Sequence, residues 1–185
     1  MKKIITCLFA FIVMNSAFGQ GHFEVGSNVI GAGIGLGSSY GSGYSYGSQT
    51  PAINFQYERG IWNVGGPGII SLGGYVAFKS YTYDYGYSSY NSKWNYTIFG
   101  VRSAYHFNGI PSNKFDVYGG LMLGYRSISF SNNEPGYNYN YNYGGSDIIL
   151  VGFIGGRYYF TENFAGFSEL GNGIAILSLG VTYKF

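Results

Sequence analysis

Glu58, Arg102, Asp116, Arg157, Glu169 and Lys184 are the side chains with ionic chemistry to offer, and most stand where apolar residues take every second position. Glu58 shares a parity with Ala52, Asn54 and Gln56, while Pro51, Ile53, Phe55 and Tyr57 take the other. Arg102 falls with Gly100, Ala104 and His106, against Phe99, Val101, Tyr105 and Phe107. The same Gly-x-Arg spacing returns at Gly155 and Arg157. Asp116 shares a face with Tyr118, Gly120, Met122, Gly124 and Arg126, and Glu24 is a further candidate for the inward set. Charges of both signs on such faces can form a salt-bridge and hydrogen-bond network, because ionised groups taken out of water need partners. The competing chemistry is an ion or proton path. The histidines are His22 and His106, and no metal-ligand cluster accompanies them.

A period of two is the mark of half-buried strands, and it holds to the last residue. Leu179, Val181, Tyr183 and Phe185 alternate with Ser178, Gly180, Thr182 and Lys184. At the other end Ile30, Ala32, Ile34 and Leu36 alternate with Gly31, Gly33, Gly35 and Gly37. No Lys-Ser/Thr and no helix pattern follow these glycines, so a phosphate loop does not fit. Phe23 and Val25 have the opposite parity, which predicts a bulge near Ser27–Asn28. Eight strands are expected, over roughly 22–37, 50–59, 69–81, 93–107, 114–130, 146–160, 164–170 and 174–185. The parity of the seventh is ambiguous. Gly171-Asn172-Gly173 reads as a tight hairpin into the eighth.

The opening Met1-Lys2-Lys3, the apolar run from Ile4 to Met14 and the small residues Ala17 and Gly19 predict a secretory signal peptide over 1–19, cleaved after Gly19. The barrel domain is then 20–185. The single cysteine, Cys7, leaves with the leader, so no disulfide holds the exported chain. Loss of Lys2 and Lys3 takes ten basic residues to eight, against eight acidic ones. A charge of zero argues against nucleic acid as a partner.

Which face meets what decides the class. A soluble barrel turns its bulky apolar face inward and its charges outward. With charged residues at 10%, the second face cannot solvate a water-exposed exterior. Turned inward, its small and polar residues fit a narrow lumen, and the apolar face then meets lipid. The fold expected is all-β, an eight-stranded antiparallel transmembrane β-barrel. Eight strands enclose a lumen just wide enough for side chains, so the network reading is preferred over a path.

Three long connections alternate with short turns, as in outer-membrane barrels whose long loops face outward. Those loops carry Tyr40, Tyr44 and Tyr46, then Tyr83, Tyr85, Tyr87 and Tyr90, then Tyr137, Tyr139, Tyr141 and Tyr143. The last set alternates with Asn138, Asn140 and Asn142, which suggests a ribbon continuing the fifth and sixth strands above the membrane. Tyr among Ser, Gly and Asn is paratope-like. Tyr44, Tyr46, Tyr85, Tyr87, Tyr137, Tyr139, Tyr141 and Tyr143 are the candidate surface contacts, for an extracellular protein or glycan. The competing reading is an aromatic girdle with low-complexity loops.

With its leader, eight strands, repeated Gly-x-Arg and the ending Gly180, Tyr183 and Phe185, the chain resembles the small eight-stranded outer-membrane β-barrel domain family, the OmpX/OmpW-type and adhesin-like barrels. The resemblance covers the whole mature chain. It implies residence among outer-membrane lipid and insertion by the barrel assembly machinery, which reads the last strand. No cofactor is implied. Lipid-modifying enzymes on such barrels need a His with Ser and a carboxylate near the outer rim. His22 and His106 fall near periplasmic strand ends, and His106 is expected to cap the lumen or lie at the interface. A structural or surface-interaction role with a plugged lumen is the leading expectation. A narrow channel or a side-opening carrier of small apolar molecules is the alternative. Deleting Phe185, or replacing it with a charged residue, is expected to lower the amount of barrel assembled; a normal level in membrane fractions counts against the signal.

Overall fold

The computed structural model describes residues 23–37, 47–84, 91–112, 114–132 and 144–185. The expected leader, His22 and all eight candidate contact tyrosines lie outside the described residues. Among the described residues nine strands form: β1 (Asn28–Leu36), β2 (Gly47–Gln49), β3 (Ala52–Asn63), β4 (Gly68–Asp84), β5 (Asn91–Phe107), β6 (Phe115–Asn132), β7 (Gly145–Tyr159), β8 (Phe164–Gly171) and β9 (Leu177–Lys184). All pairings are antiparallel, in the order β4–β3–β1–β9–β8–β7–β6–β5, and β5 pairs back onto β4 to close the sheet. The short β2 pairs Tyr81–Tyr83 of β4, just above where β3 pairs Phe78. Thr50 and Pro51 separate β2 from β3, and proline has no N–H for the ladder. The two pieces are one stave, so the barrel has eight.

The seam between first and last strands runs from Val29 opposite Lys184 to Leu36 opposite Leu177. It is extended by one rung, where Asn28 N donates to Phe185 O at 3.1 Å and Phe185 N to Asn28 O at 2.9 Å. The faces follow the alternation. Ile53, Phe55 and Tyr57 are exposed, while Ala52, Asn54, Gln56 and Glu58 are buried. In the seventh stave, whose parity the sequence leaves open, Ala165 and Phe167 point inward. Outside, aromatic pairs form a girdle at the short-turn end: Phe115 with Tyr158, Phe164 with Tyr183, and Tyr183 with Phe185. Such a girdle below an apolar band is the exterior of a membrane barrel.

Four expectations need correction. The first strand begins at Asn28 and not near 22, because residues 24–27 turn; Gly26 has φ 91°, where glycine is favoured. The parity change is made by that turn rather than by a bulge within a continuing strand. The register shift that does occur lies in β3, between Gly60 and Trp62. Glu24 is exposed and takes no part in the buried network. Finally, no tight hairpin forms at Gly171–Gly173. Asn172–Ile176 connects β8 to β9, with Ile174 and Ala175 turned into the barrel, so β9 is eight residues long where twelve were expected.

Inward glycines make room for side chains that reach across. A Cβ on Gly33 would lie 2.7 Å from Phe167 Cζ and 2.9 Å from Leu179 O. Gly33→Leu is expected to destabilise the barrel by roughly 1–3 kcal/mol or to block closure, as overpacking does; urea unfolding of the refolded protein in lipid vesicles measures it.

Candidate functional site

Inward side chains divide the lumen into two layers. The half nearer the short turns is ionic. Arg102, on β5, sets Nε 3.0 Å from Glu58 Oε1 and donates Nη2 to Glu169 Oε2 at 2.7 Å and Nη1 to Gln56 Oε1 at 2.6 Å. The Arg102 Nε contact is an ion contact out of line for a hydrogen bond. Arg157, on β7, donates Nη1 to Asp116 Oδ2 at 2.9 Å and Nη2 to Glu58 Oε2. Glu58 therefore bridges both guanidiniums. Tyr118 donates its hydroxyl to Glu169 Oε2 at 3.2 Å. Rings cover the cations: Phe153 lies 4.0 Å from the Arg102 guanidinium carbon and Tyr118 4.6 Å from that of Arg157.

His106 completes the cluster. Its Nδ1 is 2.8 Å from Asp116 Oδ1 and its Nε2 3.1 Å from Ser71 Oγ. Ser71, His106 and Asp116 thus stand in the order of nucleophile, base and orienting carboxylate. Three features oppose a catalytic reading. Ser71 and His106 are fully buried, Arg157 holds the second oxygen of Asp116, and Phe23 stacks on the imidazole with centroids 3.9 Å apart. A substrate carbonyl has no room beside the hydroxyl.

The outer half of the lumen is mainly apolar, with Asn54, Ser178 and Lys79 as buried polar members; Asn54 Nδ2 donates to Ser178 Oγ at 3.3 Å and Lys79 Nζ to Gly37 O at 2.6 Å. Ala52, Ala77, Ile98, Met122, Val151, Ile174 and Ala175 pack there, with Phe153 at the boundary. Between the layers a cavity of about 20 Å³ touches Arg102, Glu169 and Ile174. That is room for about one water.

Five of the six residues read from the sequence as an inward network are brought together: Glu58, Arg102, Asp116, Arg157 and Glu169. Lys184 shares the inward face but stands apart, 5.3 Å from the Tyr159 ring and with no ion pair among the described residues. Sequence reasoning placed His106 at the lumen end but not in the network, and missed Phe23 and Phe153. Phe153 shares the parity of Arg157 and was legible on that ground. Phe23 was not, because the turn at Gly26 breaks the alternation. No group of His, Cys, Asp and Glu among the described residues could hold a metal. Of the ending, Gly180 faces inward, its missing Cβ leaving space for Phe167; Tyr183 and Phe185 belong to the girdle.

No family model matches the chain, and no curated protein matches it. Solved structures do. OprG of Pseudomonas aeruginosa superposes with a TM-score of 0.55 at 13% identity, over 91% of this chain and 99% of that one. Ail, the attachment invasion locus protein of Yersinia pestis, in complex with the heparin analogue sucrose octasulfate, gives 0.53 at 14%, over 87% and 99%. At such identities the likeness is one of fold. With the lipid-facing exterior, it makes this chain an eight-stranded transmembrane β-barrel of the outer-membrane type.

Removing Glu58 leaves two buried guanidiniums undercompensated. Glu58→Ala is expected to cost about 3–5 kcal/mol, the range for one partner of a buried ion pair. Lys184→Met is expected to cost less than about 1.5 kcal/mol, as a volume-conserving change does. Denaturant midpoints of the two refolded variants make the comparison.

Proposed function

We propose that the chain is an integral outer-membrane barrel with a plugged lumen, acting as a structural or surface-interaction element rather than as an enzyme. The observation that carries this reading is the filled interior: five interlocked charges below, Ile174 and Ala175 above, and about 20 Å³ between them. Ions crossing such a lumen would have to separate pairs that compensate one another.

The surface role rests on the uneven rim. β4, β5 and β6 run 17, 17 and 18 residues. Tilted staves of that length rise about 43 Å, against an apolar band about 25 Å tall. Their upper inner faces carry ring pairs, Trp94 with Phe130 and Tyr81 with Tyr96. Rings support stacking on a protein or glycan partner, to which Tyr44, Tyr46, Tyr85, Tyr87, Tyr137, Tyr139, Tyr141 and Tyr143 would add. Balanced charge favours such stacking over recognition of a polyanion like the one bound to Ail. Gly180, Tyr183 and Phe185 are the signal for the assembly machinery in this reading.

A side-opening carrier of small apolar molecules is the second reading, and a notch in the wall favours it. β8 stops at Gly171, opposite Phe153, while β7 extends further toward the outer rim, to Gly145, with Ile148 and Leu150 facing outward. Asn172 caps the last rung, accepting from Gly152 N at 2.9 Å.

Planar-bilayer recording of the refolded barrel tests the plug, with a Glu58→Ala/Arg102→Ala variant alongside. No conductance steps are expected from the native protein. Reproducible native steps that change in the variant would make the inward charges a selectivity site and end the plug reading.

A further inference from the structure

The lipid-facing wall is not evenly bulky. Across β9, β1, β3, β4 and β5 it holds a groove of about 790 Å³, within the roughly 300–1,000 Å³ of small-molecule sites. Its floor lies at Ala32 and Gly74, and Phe55, Phe99 and Tyr183 rise around it. Gly74 shares a rung with Tyr57 and Val101, both of which project outward. A Cβ there would meet nothing closer than Gly100 O at 4.0 Å, so the hollow is a missing side chain rather than a packing demand. The groove opens on the face that meets hydrocarbon. What fills it is continuous with the surrounding lipid.

Depth and charge narrow the occupant. Tyr183 and Phe164 line the groove and belong to the girdle at the short-turn end, which puts the groove in the periplasmic half of the wall. Arg59 follows Tyr57 on the same outward face, about 6.7 Å further along the strand. It lies opposite Asn28, whose other neighbour is the terminal Phe185, so it sits at headgroup depth. Arg59 is exposed, and no carboxylate lies within ion-pair distance among the described residues. A guanidinium at the foot of an apolar groove matches an amphiphile with an anionic phosphate below and a hydrocarbon chain above.

We propose that this wall binds one inner-leaflet phospholipid, with an acyl chain lying over Gly74 and the phosphate on Arg59. The site is independent of the lumen and of the outer loops. Gly74→Leu raises a side chain from the floor of the groove without touching the interior, and Arg59→Gln removes the cation without altering the groove.

The test is native mass spectrometry of the refolded barrel in detergent. The probes are palmitoyl-oleoyl phosphatidylglycerol and, as a phosphate-free control, the diacylglycerol with the same chains. The native protein is expected to retain one phosphatidylglycerol per barrel, and Gly74→Leu to retain both probes about tenfold less. Arg59→Gln is expected to lose phosphatidylglycerol by about tenfold and to keep its diacylglycerol level. Heat-dependent gel mobility shows that each variant is folded, and Arg59→Gln decides alone if Gly74→Leu does not fold. Equal phosphatidylglycerol on native and Arg59→Gln protein overturns the proposal. So does a native dimer that Gly74→Leu abolishes, because the groove would then be seating a second barrel.

Discussion

A backbone amide in hydrocarbon has no water to turn to, so each must find its partner in the next strand. The seam between β1 and β9 meets this demand for the first and last staves, and the return of β5 onto β4 completes the ring. Phe185 extends that seam by one rung, with both its backbone groups on Asn28. The alternation of faces follows from closure: once the staves are paired all round, every second side chain has to enter a space it cannot leave.

That space is narrow, and its narrowness explains the chemistry inside. Eight staves leave room for side chains and little else. Glycine on β1 yields space to Phe167 and to Gln56, while two arginines reach carboxylates on other staves. Aromatic rings on Arg102 and Arg157 compensate part of the desolvation that their charges suffer. Phe23 closes the ionic layer from one side and Ile174 the apolar layer from the other. The interior is therefore a core built around charges.

What was legible in the sequence is what depends on a period of two. Glu58, Arg102, Asp116 and Arg157 enter the lumen because their neighbours' parity puts them there, and the number of staves follows from the turn signals between them. Contacts that cross the barrel were not legible. Arg102 meets Glu169 across 67 positions of chain, and only register and stagger decide such a pairing. Lys184 has the right parity, yet among the described residues no carboxylate comes within ion-pair distance of it. Gly171-Asn172-Gly173 carries the composition of a tight turn, but filling the outer lumen with Ile174 and Ala175 outweighs it. Phe23 lies beyond a chain reversal, where alternation no longer counts.

The unequal staves also act on the membrane. β8 and β9, at eight residues each, rise about 20 Å along the normal, against an apolar band about 25 Å tall. On the opposite side β4, β5 and β6 far exceed it. A bilayer around this protein meets a hydrophobic wall whose height changes with direction, and it responds by thinning beside the low staves or by letting the barrel lean. The mismatch gives the barrel a polarity in the membrane plane: a side where lipid order is disturbed, and a side where it is not.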